Sequence, residues 1–188
     1  MKRFKGIGII FISVFLCLPL ANKSYGDCNS IDLDVPMYYQ ECNLWCWDAS
    51  SQMILKYHGT TKSQTQIADW ATPTEDCTWN WLCGQTSNPT RKGVNLILDY
   101  FGGLDSVCSG GGPGASTCNE ELNADRPFVI RWEREPIGHH IVCKGIACGW
   151  GGPWLIINDP KDGPYWGHYQ WVARGSGHTW THTCYRIE

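Results

Sequence analysis

The hydrophobic pattern of this 188-residue chain changes character near Pro127. Before this point, apolar residues recur at helical spacing, and after it they form short apolar or β-branched runs separated by Gly and Pro, which is typical of antiparallel strands. The predicted helices lie at 46–58, after Ser63 and at 94–101, and the predicted strands at 128–132, 140–146, 154–157 and 169–172. Helices followed by strands predict an α+β domain whose helical half faces an antiparallel sheet.

The helical half also carries signals for where its elements begin. Ser63 and Gln66 have the spacing of a capping box, which predicts the start of the second helix. Asn119 is predicted to begin a further short helix that ends at Leu122. The segments 72–92 and 109–116 are predicted to be connections, because they are rich in Pro, Gly and Cys.

The N-terminal segment has the form of a secretory signal peptide. Three basic residues precede an apolar run from residue 7 to 20, and Ser24 and Gly26 supply the small residues that a signal peptidase reads. Residues 1–26 are therefore predicted to be removed, leaving a secreted or periplasmic domain of residues 27–188. A retained membrane anchor is the alternative, which is disfavoured because a spanning helix needs about 18 apolar residues or more.

The charge of the remaining domain excludes several classes of partner. Residues 27–188 hold 11 basic and 18 acidic residues, a net charge of −7. Nucleic acids and anionic membranes are disfavoured, because phosphate binding needs clustered Lys and Arg. We therefore expect a monomer without stable membrane insertion, whose partner is a protein or peptide substrate.

Ten cysteines lie after residue 26, at positions 28, 42, 46, 77, 83, 108, 118, 143, 148 and 184. In an exported chain this number predicts disulfides. All ten could form five bridges, whereas one catalytic thiol would leave a second cysteine unpaired. Zinc is disfavoured because the short repeated Cys-x2-Cys spacing is missing, and no metal or cofactor is expected.

The segment from Gln40 to Trp47 has the features of a cysteine nucleophile. Cys46 stands at the predicted start of a helix, where the positive end of the helix dipole favours the thiolate. Gln40, six residues earlier, is placed to donate a hydrogen bond to an oxyanion formed at that sulfur. The alternative is that Cys46 is one more half-cystine.

The spacing Gln-x5-Cys-Trp, with Cys42 before it and Ala49-Ser50 after it, resembles the nucleophile segment of the papain-like cysteine peptidases. Residues 43–47 and the helix ending 57–59 are most similar to the small bacterial members, which include secreted effector proteases and bacteriocin leader-processing peptidases. The resemblance implies a papain-like fold with a cleft between the helical half and the sheet. Asp48 departs from the pattern, because many relatives carry Ala there, and a carboxylate that faced Cys46 would oppose thiolate formation.

The same resemblance implies a histidine at the start of a downstream strand, with Gly six residues later. His139 and Gly145 have this spacing, and the adjacent His140 is the alternative. Because neighbouring strand residues point to opposite faces, only one of the two is expected to reach the thiol. The end of the next predicted strand implies that Asp159 orients the imidazole, with Asn158 as the alternative.

Gln40, Cys46, His139 and Asp159 occur in the chain order of that family and together predict a cysteine protease. Cys46 would form a thioester, His139 would act as acid and base, and Gln40 with the Cys46 N–H would stabilise the oxyanion. Two other functions stay open at this point. One is an amidase that cleaves peptidoglycan stem peptides with the same residues, and the other is a non-catalytic, disulfide-rich binding module with Cys46 oxidised.

Overall fold

The computed structural model describes residues 28–72, 92–134, 137–149 and 151–188. The predicted signal peptide at 1–26 and nearly all of the predicted connection at 72–92 lie outside these residues. Within the described ranges, no helix combines the length and the apolar character that crossing a membrane requires.

The helices of the first half lie where the sequence predicts them. Ser63 accepts a hydrogen bond from the backbone N–H of Gln66 and completes the capping box, and Gly103 ends the third helix in the left-handed region. Asn119 was expected to begin the fourth helix, and this is wrong, because that helix starts four residues earlier with Gly114 as its cap. The described helices are α1 (Cys46–Tyr57), α2 (Gln64–Ala71), α3 (Val94–Gly102), α4 (Ala115–Asn123) and α5 (Tyr169–Ala173).

The strands form one antiparallel sheet. They are β1 (Ile31–Asp32), β2 (Val107–Gly110), β3 (Phe128–Glu133), β4 (His139–Gly149), β5 (Gly152–Asp159), β6 (Gly163–His168), β7 (Arg174–Gly175) and β8 (His178–Tyr185). The strand order is β2-β8-β3-β4-β5-β6, with β1 paired to β4 and β7 to β8. Helices followed by an antiparallel sheet confirm the predicted α+β class.

The C-terminal part differs from its prediction in two ways. Residues 169–172 were predicted as a strand and instead form α5, whose Val172 is fully buried. Strands β6, β7 and β8 were not predicted. Strand β6 contains Pro164, which is tolerated because β6 lies at the edge of the sheet, where a missing N–H need not break a ladder.

Helix α1 is the centre of the helical half. Ten of its twelve residues are buried, and it packs against β4 on one side and against α2 and α3 on the other. Its first residue, Cys46, therefore meets the first residues of β4. This contact between the two halves is where the predicted catalytic residues converge.

Candidate active site

Cys46 is a reduced thiol at the first turn of α1 and is buried. Its sulfur accepts a hydrogen bond from the backbone N–H of His140 at 3.4 Å, and Nδ1 of the same residue lies 3.8 Å away. The N-terminus of a helix has a positive partial charge, so this position favours the thiolate.

His139 interacts with both the thiol and a carboxylate. Its Nε2 forms a hydrogen bond of 2.8 Å with Oδ1 of Asp159, and the ring interacts electrostatically with Cys46. The same Asp159 oxygen accepts the backbone N–H groups of Lys161 and Asp162 at 2.8 and 3.3 Å. Asp159 is thus fixed by the turn that follows β5, and it fixes the imidazole in turn.

The electrostatics of these three groups favour an ion pair. Burial opposes ionisation of the thiol, but hydrogen bonds and charge from the two histidines outweigh it and lower the pKa of Cys46 to about 5. Burial also opposes the charged imidazole, but Asp159 and Cys46 together raise the pKa of His139 to about 9. Although burial acts against it, the hydrogen bond from His139 lowers the pKa of Asp159. Between these values the site holds a thiolate beside an imidazolium.

Both histidines reach the sulfur, contrary to the expectation that only one could. The reason is that the sulfur accepts the backbone N–H of His140, which lies in the plane of the sheet. A sulfur in that plane is accessible to side chains from either face of the strand. The two residues differ in their other contacts, because His139 bonds Asp159, whereas Nε2 of His140 is buried without a hydrogen-bond partner in the described part of the chain.

Asn158, the alternative to Asp159, is engaged elsewhere. Its side-chain amide donates to the backbone carbonyl of Val35 at 3.1 Å, and it pairs in register with Val142. Residues directly opposite in a sheet share a face, so Asn158 and Val142 point to the same side. Val142 lies three residues after His139 on β4 and points to the opposite face, so Asn158 lies on the face away from the His139 ring. It holds the N-terminal segment to the sheet instead.

Gln40 lies on the loop that leads into α1. Its Nε2 donates to the backbone carbonyls of Cys42 and Asn43 at 3.0 and 2.7 Å, and its own N–H donates to the carbonyl of Pro160 at 2.9 Å. The structure therefore brings Cys46, His139 and Asp159 together, with His139 hydrogen-bonded to Asp159 and electrostatically coupled to Cys46. It places Gln40 beside that group, with its amide turned toward its own loop.

Asp48 does not act as the charged neighbour that its position in α1 suggested. The carboxyl is completely buried, and neither oxygen has a hydrogen-bond partner in the described residues. Burial, with a smaller contribution from the negative charge of Glu41, raises the pKa of Asp48 to about 9. The group is therefore neutral at pH 7, and it does not oppose the thiolate of Cys46.

Gly145 has a structural reason to be a glycine. A Cβ there would lie 2.5 Å from the backbone oxygen of Ile31 and 3.0 Å from Cα of Asp32, because β1 pairs with β4 at this point. The spacing of six residues from His139 thus reflects the close approach of β1.

Two further histidines and three cysteines have structural contacts. His168 and His178 donate from Nε2 to the backbone carbonyls of Gly151 and Trp171 at 2.7 and 2.9 Å. No group of three metal-ligating side chains occurs among the described residues. Cys28 forms a disulfide with Cys148, which ties the start of the described chain to β4, and Cys42 is disulfide-bonded as well.

Sequence reasoning missed two buried glutamines: Gln64, which hydrogen-bonds the loop that carries Gln40, and Gln52, which hydrogen-bonds Gln64. The available signal was a polar side chain close to the apolar face of a short helix. Nothing in the pattern shows what such a side chain contacts, since its partners are backbone groups distant in sequence.

The sequence matches the Peptidase_C39 like family over residues 32–185. Among solved structures, a C39-like peptidase from Bacillus anthracis is 17% identical with a TM-score of 0.57, covering 85% of this chain and 100% of its own. A double glycine motif protease of an AMS/PCAT transporter, solved with a leader peptide, is 20% identical with a TM-score of 0.53, covering 83% of this chain and 92% of its own. Both share the fold. No curated protein is detectably similar in sequence.

Proposed function

Because the chain belongs to the Peptidase_C39 like family, which makes it a cysteine peptidase, we propose that it hydrolyses peptide bonds through a thioester on Cys46. The observation that carries this proposal is the group of Cys46, His139 and Asp159, in which His139 is hydrogen-bonded to Asp159 and lowers the pKa of Cys46. The sulfur is reduced and its pKa is lowered, which are the two conditions that a nucleophilic thiolate needs.

His139 serves as the general acid and base. Its Nε2 is bound to Asp159, so Nδ1 faces the sulfur. After the thiolate attacks the carbonyl carbon, the imidazolium gives its Nδ1 proton to the leaving amine. The amine departs as the thioester forms. The neutral imidazole then takes a proton from water, which attacks the thioester and releases the acid product.

His140 is unsuited to this role despite its closeness to the sulfur. It forms no ion pair within the described part of the chain, so no carboxylate orients its ring. We assign it the supporting role of donating its backbone N–H to the sulfur.

The oxyanion is stabilised by Gln40 and by the backbone N–H of Cys46, which lies at the helix start, where N–H groups have no partner within the helix. In the structure the Gln40 amide donates to two neutral carbonyls. An oxyanion is a stronger acceptor than a neutral carbonyl, so it draws the amide toward the sulfur.

The proposed substrate is an extended peptide with small residues beside the scissile bond. Cys46 and His139 are each only 7% exposed, which leaves little room for a bulky side chain next to the sulfur. One solved relative is described as a double glycine motif protease, which is consistent with this preference. The signal-like N-terminus and the disulfide Cys28–Cys148 support action outside the cytoplasm.

An irreversible epoxysuccinyl inhibitor tests the nucleophile directly. We expect one adduct per chain, located at Cys46 by peptide mapping, and no adduct at Cys118, where burial raises the pKa of the thiol to about 12. Cleavage of a Gly-Gly-containing peptide and of a denatured protein is then measured for the wild type and for Cys46→Ala. Turnover retained in Cys46→Ala would refute the proposal.

A further inference from the structure

Gln64 is the first residue of α2, and its side chain is almost completely buried. Its Oε1 accepts the backbone N–H of Glu41 at 2.8 Å, and its Nε2 donates to the backbone carbonyl of Tyr39 at 2.8 Å. One side-chain amide therefore binds the chain immediately before and immediately after Gln40. It pairs with this segment as a neighbouring strand would.

A second glutamine links Gln64 to the helix of the nucleophile. Nε2 of Gln64 also donates to Oε1 of Gln52 at 3.0 Å, and Nε2 of Gln52 donates to the carbonyl of Lys62 at 2.8 Å. Gln52 lies on α1, whose first residue is Cys46. A continuous series of buried amide hydrogen bonds thus joins α1 to the backbone that carries Gln40.

The opposite side of the same loop is bonded to the sheet. The N–H of Gln40 donates to the carbonyl of Pro160, in the turn that holds Asp159. Gln40 is therefore held from one side by Gln64 and from the other by the end of β5. Its backbone is fixed relative to both the nucleophile and the carboxylate.

We propose that Gln64 is a positioning residue for the oxyanion site, which holds Gln40 at the distance from Cys46 that oxyanion stabilisation needs. This inference rests on the oxyanion role proposed for Gln40. Without the Gln64 amide, the N–H of Glu41 and the carbonyl of Tyr39 lose a buried partner, and the loop must move to hydrate them. A small displacement of Gln40 weakens transition-state stabilisation without changing the thiolate.

The test compares two reactions of the same sulfur. Hydrolysis of a peptide passes through an oxyanion, whereas alkylation by iodoacetamide displaces iodide from a saturated carbon and needs only the thiolate. The variant is Gln64→Met, which keeps the side-chain length and removes the hydrogen bonds. The matched control is Gln66→Met, on the same helix turn, where the exposed side chain caps α2 and does not contact residues 39–41.

For Gln64→Met we expect kcat to fall about 10- to 100-fold, since loss of an entire oxyanion donor costs about 100- to 1,000-fold. KM and the alkylation rate of Cys46 should stay within about twofold of the wild type, because the thiolate and the cleft are unchanged. Gln66→Met should leave kcat and the alkylation rate unchanged. If Gln64→Met fails to fold, Gln64→Glu, which keeps the acceptor for the Glu41 N–H, replaces it in the same comparison.

The possible results separate this inference from the proposed function. Equal losses of kcat and alkylation rate would show that Gln64 supports the whole site and would overturn the inference. Wild-type kcat in Gln64→Met, alongside a large loss in Gln40→Ala, would also overturn it, while the oxyanion role of Gln40 would stand. Wild-type kcat in Gln40→Ala would instead refute the proposed oxyanion role itself.

Discussion

His139 and Asp159 are joined by a hydrogen bond of 2.8 Å between Nε2 and Oδ1, and both side chains are buried. The bond fixes the orientation of the His139 ring and leaves Nδ1 as its other nitrogen. His140 follows directly in the chain and approaches the same sulfur, but it has no such carboxylate. The two imidazoles therefore differ in what they can do, although both influence the charge of the nucleophile.

Replacing each histidine separately should reveal this difference. We expect His139→Ala to lower kcat/KM by about 1,000-fold, since general acid–base catalysis contributes about 100- to 10,000-fold. His140→Ala keeps the backbone N–H that binds the sulfur, so its loss should stay below about tenfold. Steady-state kinetics on one peptide substrate measure both. Similar losses in the two variants would contradict the assignment of the acid and base to His139.

The pH dependence of the reaction follows from the same contacts. The pKa of Cys46 is lowered to about 5, so its alkylation rate should rise with pH through about 5. The pKa of His139 is raised to about 9, so turnover should fall as pH rises through about 9, when the proton for the leaving amine is lost. The urea-denatured protein provides the control, because an unperturbed thiol has a pKa of about 8.5. An alkylation midpoint near that value in the folded protein would exclude the ion pair.

Asp159→Asn removes the charge that stabilises the imidazolium and keeps an oxygen that can accept its N–H. We expect the high-pH limb of kcat/KM to move to lower pH, because the pKa of His139 is raised largely by Asp159. The low-pH limb should move up, since a less stable imidazolium stabilises the thiolate less. A profile unchanged at both limbs would show that Asp159 does not interact with His139 in solution.

Asp48→Asn should increase stability at neutral and alkaline pH. The pKa of Asp48 is raised from 3.8 to about 9, so the folded chain holds a proton that the unfolded chain loses. The free energy of unfolding therefore decreases by up to about 1.4 kcal/mol per pH unit between about pH 4 and 9. An amide has no such dependence. Urea unfolding at pH 5 and pH 8 measures the pH dependence of the free energy of unfolding, with Asp69→Asn, at an exposed position, as the control. An equal pH dependence in the wild type and in Asp48→Asn would be inconsistent with a neutral buried acid.

Cys108 and Cys184 lie directly opposite each other on β2 and β8. The N–H of Gly111 donates to the carbonyl of Thr181 in the same register, so alternation makes the cysteines a pair without ladder hydrogen bonds. Such pairs have Cα atoms about 4.5 Å apart, within the range that a disulfide spans. We expect peptide mapping of the oxidised, unreduced protein to find these two linked, and Cys46 as a thiol. Cys108→Ser should lower the melting temperature and leave alkylation of Cys46 unchanged; a disulfide at Cys46 would be the opposite result.

The parts of the fold that the sequence predicts are those set by neighbouring residues. The capping box at Ser63 and the glycine end of α3 are local, and both lie where they were expected. Residues 169–172 were mistaken for a strand because three of these four residues are aromatic or β-branched, and so short a run fits either period. Their helix is decided by burial of Val172 under the sheet and by His168, which caps it by accepting the N–H of Gln170.

The candidate site shows the same division. Cys46 and Asp159 were recognisable because each stands at the end of an element with a characteristic neighbourhood. The approach of His140 to the sulfur was not recognisable, because it depends on where along β4 the first residue of α1 packs. The contacts of Gln64 were equally hidden, since the backbone it binds lies 23 and 25 residues earlier in the chain.

The sulfur of Cys46 and the histidine N–H that it accepts are 94 residues apart in sequence. In a chain that has not folded, this cysteine has no imidazole beside it and titrates like any other thiol, so only a few per cent is thiolate at neutral pH. Packing of α1 against the sheet is thus the step that converts Cys46 from an ordinary thiol into a thiolate. A newly made or partly unfolded copy therefore carries an unactivated thiol, and proteolytic activity depends on complete folding of the site.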